Sequence, residues 1–209
     1  MNKPSGVVVY SNKNSQNVHG RRTIRTCLPY VLKPPKWGTV GSIRRPVSVH
    51  RLDKPTSGLL LVAKTKPAMM DLSKQFVERH IQKTYTALVH GIPFESNDTA
   101  ITAHQAKYDI GVDVDLNTDG WHLIDHPLDG KSAVTVWRTI QYVPSLKAQN
   151  NMITMVELKP KTGRYHQLRR HMVRTYIWYI NIYAKQRNYL YSHIVILFRN
   201  NRHGCINAH

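Results

Sequence analysis

The sequence predicts an α+β fold, a mixed and largely antiparallel sheet with flanking helices. Apolar and polar residues alternate over residues 83–91, 131–137 and 152–159, as half-buried strands require. Helical spacing is sparse, clearest where Met69, Leu72, Phe76 and Val77 share one face. Turn signals, Asn117-Thr118-Asp119-Gly120 and Asp129-Gly130, separate the later strands and predict a hairpin insertion. A length of 209 residues with 41% apolar content suits one ordinary domain with a sizeable core.

Taken in order, Pro4 and Gly6 mark a turn, and residues 7–10 are expected as a strand. Residues 11–49 are polar and basic, with Pro29, Pro34, Pro35 and Pro46, and read as a loop holding one short helix. The cluster Arg21, Arg22 and Arg25 fits a phosphate-facing patch and a solvated loop equally well.

The chain is organised around His50-Arg51-Leu52-Asp53-Lys54-Pro55-Thr56-Ser57-Gly58-Leu59-Leu60-Leu61-Val62-Ala63-Lys64. A polar loop with one carboxylate runs directly into an apolar segment, read as a buried strand over residues 59–63. Asp53 stands between Arg51 and Lys54, cations that favour a charged neighbour. Such a carboxylate can act as nucleophile, general base or electrostatic stabiliser. An aspartate that only turns the chain and pairs with Arg51 is the commoner case.

A helix is predicted over residues 66–80, with Thr65 as N-cap and an apolar face that packs as core. The strand over 83–91 ends at Gly91. Within 92–130, Asp109, Asp113 and Asp115 lack the spacing and the closing Glu of a calcium loop. The next block, Leu158-Lys159-Pro160-Lys161-Thr162-Gly163-Arg164-Tyr165-His166-Gln167-Leu168-Arg169-Arg170-His171-Met172, reads as a strand, a glycine turn and the start of a helix. His166 and His171 are not spaced as zinc ligands on a helix, and no metal is expected.

Charge narrows the function class. Thirty Lys and Arg against twelve Asp and Glu give a net charge of +18, a surface that attracts polyanions. Eight of the twelve acids fall between Glu95 and Asp129, and none follows Glu157. Cys27 and Cys205 form no metal or redox pattern, so a reducing compartment, cytoplasmic or organellar, is expected. No apolar run has the length to span a membrane.

Four segments together resemble one family. The 50–64 string, Lys83-Thr84-Tyr85-Thr86-Ala87-Leu88-Val89-His90-Gly91, the 158–172 block and Asn2-Lys3-Pro4-Ser5-Gly6 are similar to the motifs of the RluA-like RNA pseudouridine synthases, over residues 2–172. The resemblance implies a pseudouridine synthase-like catalytic domain that isomerises uridines in rRNA or tRNA as a monomer, without a cofactor. It implies that Asp53 is the catalytic aspartate, that Tyr85 stacks on the target uracil and that Arg169 pairs with the aspartate. Arg51, Thr56, Ser57, Lys83, Arg164, His166 and Gln167 are the implied substrate- or RNA-binding residues. The alternative is a non-catalytic RNA-binding or ribosome-assembly protein derived from an incomplete synthase domain.

The resemblance ends at Val173, where the family continues with a Pro-Ile-x-Gly-Asp segment and a further strand. The domain is therefore expected to span 1–172 and to be truncated at both ends, with 173–209 a divergent basic tail. The Ile- and Tyr-rich run near Tyr176 and Tyr183 has the composition of a shifted reading frame, and a basic RNA-binding tail is the other reading. A continuous frame through His209 in the transcript would exclude the first.

Overall fold

A computed structural model describes residues 1–10, 23–91, 120–148, 151–175 and 195–198. They fall into two compact units, Met1–Ile81 and Gln82–Ile196, with Leu197 and Phe198 grouped with the first. The fold is α+β, and every strand pairing with a defined register is antiparallel.

The first unit contains β1 (Asn2–Lys3), α1 (Ile24–Val31), β2 (Ser42–Ser48), β3 (Gly58–Leu59), β4 (Val62–Thr65) and α2 (Lys66–Val77). β1 pairs with β3, setting Lys3 opposite Gly58, and β2 pairs with β4. The β2–β4 register shifts between Ser42 and Val47, where Pro46 has no N–H for the ladder.

Three expectations are corrected here. Residues 7–10 are not a strand, because the carbonyls of Val8 and Val9 accept the N–H groups of Ile24 and Arg25 at 2.9 and 3.0 Å. Those are orphan donors at the start of α1, which Thr23 caps further through a capping box. The apolar run 59–63 is not one strand either. Leu60 exchanges backbone hydrogen bonds with Met1, while the Leu61 N–H donates to His50 Nε2 at 2.9 Å, so the run breaks between β3 and β4. Finally, α2 is N-capped by Thr65 as predicted but ends at Val77. None of its side chains is buried, and Val77 is 81% exposed, so it is not the core helix expected.

The second unit contains β5 (Tyr85–His90), β6 (Trp121–Asp125), β7 (Val134–Pro144), β8 (Met152–Pro160) and α3 (Gln167–Thr175). With β9 (Val195–Phe198) the sheet order is β6-β7-β8-β5-β9, so the C-terminal stretch contributes a strand that the sequence pattern did not reveal. β7 runs seven residues beyond the expected end at Trp137, through a register shift between Thr139 and Gln141. Asp129 and Gly130 both have positive φ, 53° and 71°, and reverse the chain between Leu128 and Lys131. The core joins Ala87, Val89, Trp137, Val156 and Leu158 of the sheet to Leu168 and Met172 of α3. Burial of these apolar side chains is the dominant favourable term holding α3 to the sheet. Arg21, Arg22, the calcium-like aspartates and the Tyr176–Tyr183 run lie outside the described residues.

Candidate functional site

The candidate residues form two groups, one in each unit. In the first, Asp53 sits half-buried at the start of a tight turn whose Thr56 N–H donates to the Asp53 carbonyl at 3.1 Å. Three groups from the N-terminal Lys-Pro-Ser-Gly segment hold this turn. The Gly6 N–H donates to the Lys54 carbonyl at 2.8 Å, the Ser5 hydroxyl to the Pro55 carbonyl at 2.7 Å, and Lys3 Nζ to the Lys54 carbonyl at 3.3 Å.

Lys3 is fully buried, at 0% exposure. Its ammonium also donates to the carbonyls of Pro4 and Val7, each at 2.8 Å, so all three protons have acceptors. Burial pushes its pKa below the ordinary 10.5, while the Asp53 charge pulls it back up. The sequence marks this segment as a turn and as one of the four family-like motifs, but gives Lys3 itself no site role. The available signal was a lysine beside Pro4 and Gly6, one strand-pair away from the aspartate loop.

The other first-unit candidates divide by burial. Thr56 is buried, Ser57 is half-buried and Arg51 is exposed, its guanidinium carbon 5.8 Å from the centroid of the Tyr10 ring. Gly58, at φ +121°, occupies backbone space that a side chain rarely adopts, which lets β3 follow the turn directly.

The second group surrounds the turn between β8 and α3. Tyr85 opens β5, pairs with Leu158 of β8 and packs half-buried against the core. Lys83 Nζ lies 4.0 Å from the position a Cβ would take at Gly163, so the lysine flanks this turn. Gln167 is its pin. The amide oxygen accepts from Thr162 Oγ1 at 2.8 Å and the Arg164 N–H at 2.9 Å, and Nε2 donates to the Val134 carbonyl at 2.9 Å and Thr135 Oγ1 at 3.0 Å. Those four bonds use the amide's full capacity, so Gln167 as it stands offers nothing to a ligand.

Thr135 extends the network. Its hydroxyl lies 3.0 Å from Nδ1 of the buried His171, whose Nε2 is 3.1 Å from the His126 carbonyl. A carbonyl only accepts, so Nε2 carries a proton directed at the His126 carbonyl. The sequence places His171 in the family-like 158–172 block and excludes it as a metal ligand, without giving it a role. Among the described residues no three His, Cys, Asp or Glu side chains converge as metal ligands.

His166 lies just before α3 at φ +50°, a left-handed conformation uncommon outside glycine, and its ring stacks on Tyr165 at 3.8 Å. The Arg164 Nε–H donates to the Ser132 carbonyl at 2.9 Å. Arg169 is 8% exposed and Arg170, its neighbour, grips Asp129 with two bonds of 2.8 and 2.9 Å. That grip holds the Asp129 carboxyl below its ordinary pKa of 3.8.

Both groups fall inside one family match. The RNA pseudouridylate synthase family matches residues 1–173. A ribosomal large subunit pseudouridine synthase D of Zymomonas mobilis is 35% identical over 173 residues, covering 82% of this chain and 48% of its own. A ribosomal large subunit pseudouridine synthase C of Rickettsia bellii is 35% identical over 156 residues, covering 73% and 47%. A tRNA pseudouridine synthase C of Haemophilus ducreyi is 29% identical over 178 residues, covering 82% and 63%. The chain thus spans about half the length of the first two curated relatives. With the match running through the Lys3 segment, the Asp53 turn, β5 and the start of α3, the chain belongs to the RNA pseudouridylate synthases, in their RluA-like branch.

Proposed function

We propose that the chain isomerises uridine in RNA to pseudouridine, with Asp53 as its nucleophile or base. The observation that carries the reading is the turn itself. Backbone and side-chain donors from Lys3, Ser5 and Gly6 fix the two residues that follow Asp53, a degree of preorganisation that a mere surface turn does not need.

The chemistry needs an exposed base. The target uridine leaves its stack, and an aromatic face such as Tyr85 offsets the lost stacking. Asp53 attacks the base or sugar, or assists removal of the C2′ proton. The N1–C1′ glycosidic bond breaks, the uracil rotates, a C5–C1′ bond forms, and the C5 proton is lost to solvent as N1 gains one. Arg169 serves as the guanidinium partner of the reacting carboxylate, a role suited to bidentate pairing. Lys83, Arg51, Arg164 and His166 serve RNA binding, and Thr56 and Ser57 shape the Asp53 turn. The relatives are named for rRNA and tRNA, and we take rRNA as the first substrate to try.

The test is tritium release from RNA labelled at uridine C5. The parent chain should release tritium, and Asp53→Asn should abolish release while keeping RNA binding. Substantial turnover by Asp53→Asn would remove Asp53 from the mechanism. Binding without release by the parent, across rRNA and tRNA substrates, would favour the non-catalytic RNA-binding reading that the +18 charge supports equally.

A further inference from the structure

We propose that the loop between α1 and β2 is a stacking platform for single-stranded RNA, with Trp37 as its contact surface. This rests on the RNA-directed reading above and adds a site outside the family motifs.

Trp37 is 104% exposed, an unusual position for the largest side chain in a chain that buries Trp121 and Trp137 to 2% and 1%. It is not loosely held. Lys36-Trp37-Gly38-Thr39 is a closed turn in which the Thr39 N–H and hydroxyl both donate to the Lys36 carbonyl, at 3.1 and 2.6 Å. Gly38 has φ +81°, the value required at the third position of a type II turn, so Trp37 is displayed at the tip. The next anchor is at Gly41, whose carbonyl accepts the Lys66 N–H at 2.7 Å. A Cβ on Gly41 would stand 2.8 Å from the ring of Pro67, so loop and helix α2 meet with no room to spare.

Beside Trp37 lies a groove of about 570 Å³, lined by the rigid rings of Pro29, Pro34 and Pro35 and by the cationic Lys36 and Arg44. An aromatic face, proline walls and flanking cations suit a base on one side and its phosphate on the other. The charge identifies the occupant. No acid occurs anywhere before Asp53, against ten Lys and Arg. A segment without a single carboxylate over that length repels a basic partner and draws a polyanion. A rigid turn loses little freedom on binding, which favours stacking over induced ordering.

The experiment is fluorescence titration of the full chain with single-stranded oligouridylate, comparing the parent with Trp37→Ala, Trp37→Phe and Lys36→Gln. RNA should quench a tryptophan component of the parent that Trp37→Phe lacks. Trp37→Ala should weaken binding about five- to a hundredfold with an unchanged salt slope, and Trp37→Phe should retain most of the affinity. Lys36→Gln should lower the salt slope by about one. Parent-like affinity in Trp37→Ala, with no quenchable component at Trp37, overturns the platform. So does sedimentation showing that the parent self-associates and Trp37→Ala does not, since a second copy would then cover this face. Tritium release separates the two readings. Trp37-dependent binding without release keeps the platform and removes the catalytic reading, and release with Trp37-independent binding does the reverse.

Discussion

Lys3 Nζ donates to the carbonyl of Lys54, the residue that follows Asp53, from a side chain with no solvent exposure. A buried ammonium is stable only when its protons are all accepted, and here three carbonyls accept them. Lys3→Met keeps most of the volume and removes every donor, leaving those carbonyls facing a thioether. The expected loss is about 2–3 kcal/mol, as for hydrogen bonds to a charged group. Urea unfolding measures it. The turn then loses one of its three restraints, so kcat for tritium release should fall more than RNA affinity does. Unchanged stability would show that the Lys3 bonds contribute nothing net.

The Asp129–Arg170 pair gives a pH signature. The folded carboxyl has its pKa depressed below 3.8 chiefly by the Arg170 hydrogen bonds; desolvation opposes them, and the Arg170 and Lys131 charges add to the lowering. A depressed acid contributes stability that is present above its unfolded pKa and is lost as pH falls through the folded value. The Asp129 carboxyl resonance should therefore titrate with a midpoint below 3.8, and Arg170→Gln should move that midpoint upward. Asp129 is exposed, so added salt should shrink the difference between parent and variant. A midpoint unmoved by Arg170→Gln would mean that the pair does not persist in solution.

Period-2 alternation placed β5 and β8 almost to the residue, because the sheet they form has one face on the core and the pattern reports that burial. The apolar run 59–63 misled for the same reason. Five consecutive apolar residues carry no periodicity, and whether they stay one strand depends on distant hydrogen-bond partners, here Met1 and His50. The Asp53 and Gln167 neighbourhoods were legible as motifs. Their restraints were not, since Lys3 and Lys54 stand 51 residues apart and no local pattern links them. The cap at Thr65 was legible because capping is local, whereas the exposure of α2 was not, because burial is set by what packs against the helix. Two of the four bonds of Gln167, to Val134 and Thr135, likewise come from residues that only the β7–α3 arrangement brings within reach.

Gln167 offers the sharpest test of that arrangement. Its amide bridges Thr162 and Arg164 on the turn to Val134 and Thr135 on β7, with every lone pair and proton used. Gln167→Ala would strand two donors and two acceptors in a buried space, and at about 1 kcal/mol per net bond the loss should reach about 4 kcal/mol. Gln167→Glu should be worse near neutral pH despite its matching shape. Its carboxylate still accepts from Thr162 and Arg164, but its second oxygen replaces the NH2 and faces the Val134 carbonyl, acceptor against acceptor. Protonating that carboxyl supplies one donor for Val134, so the glutamate variant should regain part of its stability as pH falls, while the alanine variant should not. Urea unfolding of both variants across pH measures the crossing. Parallel pH profiles would show that the turn is held by backbone packing and that the Gln167 amide is incidental to it.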